Sequence, residues 1–185
     1  RFTVSNALCA ASDPEIREQA AELLPLPVTV GKASLPPVSD LIKHRGDARK
    51  GISTFASVGT CAKCHKVQGK GHDIGPDLSE IGSKLSREAM YLAILDPSAS
   101  ISHNYEQYVV LLDSGIVESG LLVNDSDDSI TLRNTEGVDR VIPRDDIESL
   151  EKSPLSLMPA GLQQNLTQQQ LVDLVEYLLS LKKKL

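Results

Sequence analysis

Hydrophobic positions along this chain change their period part-way through. Residues 1–24 repeat at helical spacing. Asp13-Pro14-Glu15 is a helix start, with Asp as cap, Pro in the first turn and Glu facing the positive end of the dipole. Ile16, Ala20, Leu23 and Leu24 then form one apolar face. Cys9 lies in the preceding apolar stretch and reads as a small buried hydrophobe. Pro25, Pro27, Pro36 and Pro37 punctuate residues 25–40, which read as an irregular linker. Helical spacing resumes from Asp47 to Val58, with Gly51 and Phe55 on one face, and stops at Gly59-Thr60. Glycines 69, 71 and 75 predict a loop that closes with Gly75-Pro76-Asp77-Leu78. Ser86–Leu95 predicts a short helix, capped by Ser86 and stopped by Asp96-Pro97, with Met90 on its core side.

Beyond residue 103 the pattern becomes β-rich. Tyr105–Leu112, Ile116–Val123, Ser129–Arg133, Val138–Ile142 and Ile147–Leu150 predict five strands. Asp113-Ser114-Gly115, Asn124–Asp128 and Glu136-Gly137 supply the turns between them. Five short strands on tight turns predict a small barrel. Residues 151–166 then read as a loop containing Leu157-Met158-Pro159. Thr167–Leu181 predicts the last helix, with Thr167 and Gln170 as a capping box and Leu171, Leu174, Val175 and Leu178 as its buried stripe. Lys182–Lys184 form a solvated basic end that suits the helix's negative terminus.

Composition narrows the class. The chain has 185 residues, 41% hydrophobic and 24% charged, with two Phe, four Tyr and no Trp. Nineteen basic and 25 acidic residues give a formal charge of −6, which argues against nucleic acid as the main partner. No run of about 18 apolar residues is present, so no direct membrane span is expected. The chain begins at Arg1 without Met or signal peptide, which reads as a piece excised from a longer, exported protein. The acidic turn Asn124–Asp128 lacks the Gly and Glu of a calcium loop and reads as a turn only.

The chemistry concentrates in Cys61-Ala-Lys-Cys64-His65, the attachment signature of c-type haem. Two intervening residues let both thiols reach the vinyl groups on one porphyrin edge, and the next residue presents its imidazole to iron. Two other readings of a CxxC pair exist. A structural zinc site needs four ligands, and the only other cysteine is Cys9. A redox dithiol of thioredoxin type needs a preceding strand, and Thr54–Lys66 shows none. The expected cofactor is one haem c, covalent through Cys61 and Cys64, with His65 as proximal ligand.

A second iron ligand is sought among two methionines and three other histidines. Met158 lies in a loop between Pro154 and Pro159 and can reach across a haem face without distorting a helix. It is the expected distal ligand, with His103 and His72 as alternatives. A ligating imidazole usually donates its other N–H to a carbonyl or carboxylate. A proline-stiffened loop just downstream can supply such a carbonyl from Pro76, with Leu78 against the porphyrin edge.

Gly51, Phe55, the CxxCH motif, Gly75-Pro76-Asp77-Leu78, Met158 and Leu174-Val-Glu-Tyr177 together resemble a class I cytochrome c. That resemblance implies that Gly51 and Phe55 on the first helix cross Leu174 and Tyr177 on the last. Residues 48–184 more specifically resemble the C-terminal haem-binding domain of large exported proteins of Planctomycetes and Verrucomicrobia. The stretches that carry this are Ile94-Leu-Asp-Pro-Ser98, Tyr105-Glu106, Gly120-Leu-Leu, Ser129-Ile-Thr-Leu132, Ile142-Pro-Arg-Asp-Asp-Ile147 and Ser156-Leu-Met-Pro-Ala-Gly-Leu162. Parents of that family often join this domain to helical repeats and a dehydrogenase-type propeller.

His65 and Met158 are separated by far more chain than a compact cytochrome c needs, and removing 103–150 restores a suitable spacing. The expected fold is therefore α+β: a class I cytochrome c interrupted by an SH3- or Sm-like barrel, with an N-terminal helical extension. The expected domains are 1–40 as extension and linker, 41–102 with 151–185 as cytochrome c, and 103–150 as the inserted barrel. The expected role is one-electron transfer from a fused or docked dehydrogenase to a periplasmic acceptor, without substrate turnover by this domain. The alternative is a haem-based gas sensor or peroxidase-like domain with an open or labile sixth position. A third reading makes the haem mainly structural and the barrel a docking module. Oligomeric state is not legible in the sequence.

Overall fold

Six α-helices and seven strands make up a helical half, a two-stranded hairpin and a five-stranded sheet in a computed structural model that describes residues 2–183. The N-terminal region is two helices, α1 (Phe2–Cys9) and α2 (Pro14–Leu23), the second beginning at the expected Asp13-Pro14-Glu15 start. The Asp13 carboxylate accepts from Glu15 N at 2.9 Å and starts α2. Cys9, Ala20 and Leu26 make a small apolar cluster of their own, joined by Phe2.

The proline-rich stretch does more than link. Val28 bridges Ser34, Val30 N donates to Leu166 O at 2.9 Å, and α3 (Val38–Leu41) is a single helical turn. Leu35, Val38 and Leu41 are buried in the same core as Phe55 and Leu174. Residues 35–40 therefore pack with the helical half, on the other side of the expected boundary at residue 40. Proline removes donors and breaks regular structure, but it does not stop the leucines between prolines from being buried.

The helical half is built from α4 (Ala48–Ala56), α5 (Arg87–Leu95) and α6 (Gln168–Ser180). Their starts are set locally: Asp47 caps α4, Ser86 caps α5, and Thr167 with Gln170 closes a full capping box on α6. Helix α4 crosses α6 with Gly51 against Asp173 and Tyr177. The Phe55 and Tyr177 rings meet edge to face, with centroids 5.6 Å apart. Asp173, buried in this crossing, accepts from Asp47 N and from Gln169 Nε2. Arg87 of α5 forks onto Glu176 of α6 at 2.9 and 3.2 Å. Lys182 and Lys183 are exposed beyond α6, while Arg1, Lys184 and Leu185 lie outside the described residues.

A two-stranded hairpin, β1 (Lys66–Val67) and β2 (Lys70–Gly71), occupies part of the stretch expected to be loop. The large sheet holds β3 (Glu106–Leu112), β4 (Val117–Asp125), β5 (Ser129–Arg133), β6 (Asp139–Pro143) and β7 (Ile147–Ser156). All pairings are antiparallel and the order is β6-β5-β4-β3-β7. The sheet curls over its own core of Val110, Leu112, Ile130, Leu132 and Ile142.

Two expectations change here. The sheet is open: among the described residues β6 and β7 do not pair, so no closed barrel forms. The tight turn Arg144–Asp146 accounts for this. Asp146 O accepts from Asp113 N at 3.0 Å, which carries the chain to the outer side of β3 instead of back along β6. The last strand also continues to Ser156, beyond the expected end at Leu150, so residues 151–156 are strand and not loop. Pro154 is tolerated because β7 is an edge strand beside a register shift, where a missing N–H breaks no ladder. Glu106 pairs with Ser156, so the sheet's first and last residues are neighbours. The chain leaves the helical half and returns to it at one point.

Candidate functional site

The site grows from a single turn. Cys61–Lys63 form one 3-10 turn, in which Cys64 N and His65 N both donate to Cys61 O, at 3.1 and 2.9 Å. Both thiols and the imidazole therefore issue from the same short piece of backbone. Thr60, just before it, has φ 55°, a left-handed conformation that is costly for a β-branched residue. Thr60 N donates to Ser57 O and Gly59 N to Thr54 O, so the end of α4 holds the strained residue in place.

The chain then folds back on the turn. Ile74 N and Gly75 N both donate to Cys64 O, at 3.1 and 2.7 Å, and Leu78 N donates to Lys66 O at 2.9 Å. This brings the Pro76 carbonyl oxygen to 2.8 Å from His65 Nδ1. A carbonyl only accepts, so Nδ1 carries the proton and the lone pair sits on Nε2. Gly75 permits the approach: a Cβ there would lie 2.6 Å from His65 Cε1.

Cys61, Cys64 and His65 open onto a cavity of about 430 Å³ with a mainly apolar lining. Phe55, Leu78, Met90, Leu174 and Leu178 form its inner wall, and Leu157, Met158 and Pro159 contribute from the loop after β7. Pro76 and Leu78, named from the sequence, both line it. Met158 is half-buried there, and its N–H donates to Ser156 Oγ at 3.1 Å. Met90 also lines the cavity, but it belongs to the core cluster at 2% exposure. His103 does not line it; its side chain is 89% exposed beside Glu106. His44 and His72 are exposed as well.

Burial sets the chemistry of the free side chains. It pushes the Cys61 thiol up to about 11, a shift that its own backbone hydrogen bond opposes and nearby Cys64 assists. Burial raises Cys64 too, with Lys63 pulling the other way. Thiols held up in this way are not the activated thiolates of a redox dithiol. Burial lowers His65, against the opposing effect of the Pro76 carbonyl, so a neutral imidazole with a free Nε2 is favoured. Among the described residues no three His, Cys, Asp or Glu side chains cluster as a metal site, which leaves the CxxC pair without partners for zinc.

The decisive combination is thus two unpaired thiols, one oriented imidazole and one apolar cavity. Residues 48–110 match the cytochrome c family model. The match starts at the first residue of α4, contains the whole turn and its return loop, and ends inside β3. It supports a cytochrome c domain, and that family implies covalent haem c. No curated protein matches the chain. The residues of the matched segment fit such a group: both thiols are free, the imidazole presents Nε2, and the cavity beside them is apolar. Helix α6 and Met158 lie outside the matched segment.

Three cavity residues had no individual signal in the sequence. Tyr105, Leu121 and Thr135 reach the cavity from the sheet side. Tyr105 and Leu121 were visible only as members of expected strands and of stretches that carried the resemblance, and Thr135 merely precedes the expected Glu136-Gly137 turn.

Proposed function

We propose that this chain is a one-haem c-type cytochrome module that transfers single electrons, from a fused or docked dehydrogenase to an acceptor in the periplasm. The carrying observation is the Cys61–His65 turn opening onto an apolar cavity, with His65 Nδ1 committed to Pro76. Haem c, when bound, supplies an iron that exchanges one electron at a time. Cys61 and Cys64 hold the group through thioethers. His65 supplies a ligand whose ring is fixed by Pro76, which also strengthens it as a donor. Phe55, Leu78, Leu174 and Leu178 exclude water. Met158 is the distal ligand in this reading, a soft neutral donor that favours the reduced state.

The cytochrome c portion is residues 41–102 together with the segment after the sheet, with 35–40 packed on it. The inserted module is the open sheet, Glu106–Ser156. The resemblance to the haem-binding domain of exported Planctomycetes and Verrucomicrobia proteins supports an exported location and a dehydrogenase partner. No helix among the described residues is long and apolar enough to cross a membrane.

The alternative, a gas sensor or peroxidase-like domain, turns on Met158. That residue is held by a loop, and a loop ligand is more easily displaced than one on a helix. Visible spectra of the matured protein, oxidised and reduced, decide between the two. A Met–Fe charge-transfer band and slow CO binding support the carrier. Fast CO binding to the reduced wild type overturns it.

A further inference from the structure

The sheet touches the haem-site loop at one polar contact. Arg133, the last residue of β5, places Nε and Nη2 on the two carboxylate oxygens of Asp139, at 2.7 and 2.9 Å. This fork leaves Nη1 to donate to the Asp73 carbonyl at 3.1 Å, across sixty positions of sequence. The Asp73–Ile74 peptide is held at both ends: its C=O accepts from Arg133, and its N–H donates to Cys64 O. The next residue, Gly75, donates to the same Cys64 oxygen, and the one after it, Pro76, accepts from His65.

Two further contacts support this point. Gly137, in the turn after β5, lies against the buried Ile74, where a Cβ would be 3.5 Å from Ile74 Cδ1. Leu121, the cross-strand partner of Arg133, lines the cavity. The sheet therefore grips the segment that aims the imidazole and also walls the space the imidazole faces.

We propose that Arg133 is a positioning residue for His65, through which the inserted sheet sets the strength of the proximal ligand. The proposal rests on the haem reading above. Arg133 fixes the Asp73–Ile74 peptide, that peptide fixes the Pro76 carbonyl, and the carbonyl fixes the ring and its Nδ1 proton. The competing view is a partly exposed ion pair that merely staples β5 to β6. Such pairs contribute little, and that one would not be felt at His65.

The test uses the full chain matured with haem, as wild type, Arg133→Ala, Arg133→Lys and Asp139→Asn. Exchange of the His65 Nδ1 proton is read by NMR in the reduced state, and the midpoint potential by titration. Arg133→Ala and Arg133→Lys should both keep covalent haem and exchange the Nδ1 proton faster than the wild type does, because the Pro76 carbonyl is then held less firmly. Arg133→Lys keeps the positive charge but loses the fork, so its potential should rise as the imidazole becomes a weaker donor. Asp139→Asn should move both readouts in the same direction by less.

Unchanged exchange and potential in the Arg133 variants overturn the proposal, even if unfolding in urea becomes easier. If Arg133→Ala does not mature, Arg133→Lys and Asp139→Asn decide by the same two readouts. Loss of haem from all three also overturns it, since the role would then be structural. A wild-type chain that carries no covalent haem overturns the electron-transfer reading itself, which is a separate result.

Discussion

Gly51 of α4 lies so close to Tyr177 of α6 that a Cβ at position 51 would sit 2.6 Å from the Tyr177 Cβ, with the Asp173 backbone closer still. The two helices meet backbone to backbone, and this contact seats the end of α4 from which the Cys61 turn begins. Gly51→Leu should therefore destabilise the fold by about 1–3 kcal/mol, the usual range for overpacking, with more if the crossing is forced apart. Urea unfolding of the matured protein measures it. Full tolerance would mean that the crossing is not as close as described.

Cys61→Ala together with Cys64→Ala should abolish covalent attachment, since both thioethers come from this one turn. A denaturing gel stained for haem peroxidase activity reads the outcome. A metal assay on the correctly matured wild type accompanies it, and zinc without haem would refute the assignment.

Both methionines line the cavity, so they make a matched pair. Met158→Ala should lower the reduction potential and open the site to CO. Met90→Leu is a volume-conserving change in a core helix; it should do neither and cost less than about 1.5 kcal/mol. Potentiometry and CO-binding rates compare the two. A CO-reactive Met90→Leu with an unaffected Met158→Ala would exchange their roles.

Gly75→Ala should disturb His65 without touching the thiols. The added methyl would press on the imidazole, so the ring must tilt or the Pro76 carbonyl must withdraw. Covalent haem should survive while the potential shifts and Nδ1 exchange speeds up. Unaltered spectra and potential would show that the ring has room which the structure does not give it.

The Arg87 guanidinium, forked on Glu176, holds that carboxyl below its usual value of 4.5. A depressed folded value means that the stabilisation is complete above the unfolded value and is lost as pH falls through the folded one. Glu176→Gln should cost about 1 kcal/mol near neutral pH, modest because both side chains are partly solvated. The gap between wild type and variant should close as the pH is lowered below 4.5. A gap independent of pH would assign the loss to packing alone.

The sequence by itself determined what depends on neighbours along the chain. CxxCH specifies two thiols and an imidazole on one turn because the spacing is local. Asp13, Asp47, Ser86 and the Thr167–Gln170 pair mark helix starts because a cap bonds within three residues. Gly75-Pro76 was legible as a source of a carbonyl for His65 because the return loop is short. Tertiary structure alone decided what depends on partners far along the chain. Strand β7 runs on past Ser153-Pro154, a poor strand sequence, because Tyr108 and Glu106 of β3 pair with Lys152 and Ser156 on either side of it. The sheet stays open because the Arg144–Asp146 turn is tied to Asp113, a contact that no local pattern encodes. Leu35 and Val38 join the core although prolines surround them, because burial needs an apolar partner and not a regular element. Tyr105, Leu121 and Thr135 line the cavity, and Arg133 reaches the Asp73 carbonyl, only after the sheet folds over the Cys61–His65 turn, so the part each plays there depends on two distant segments meeting.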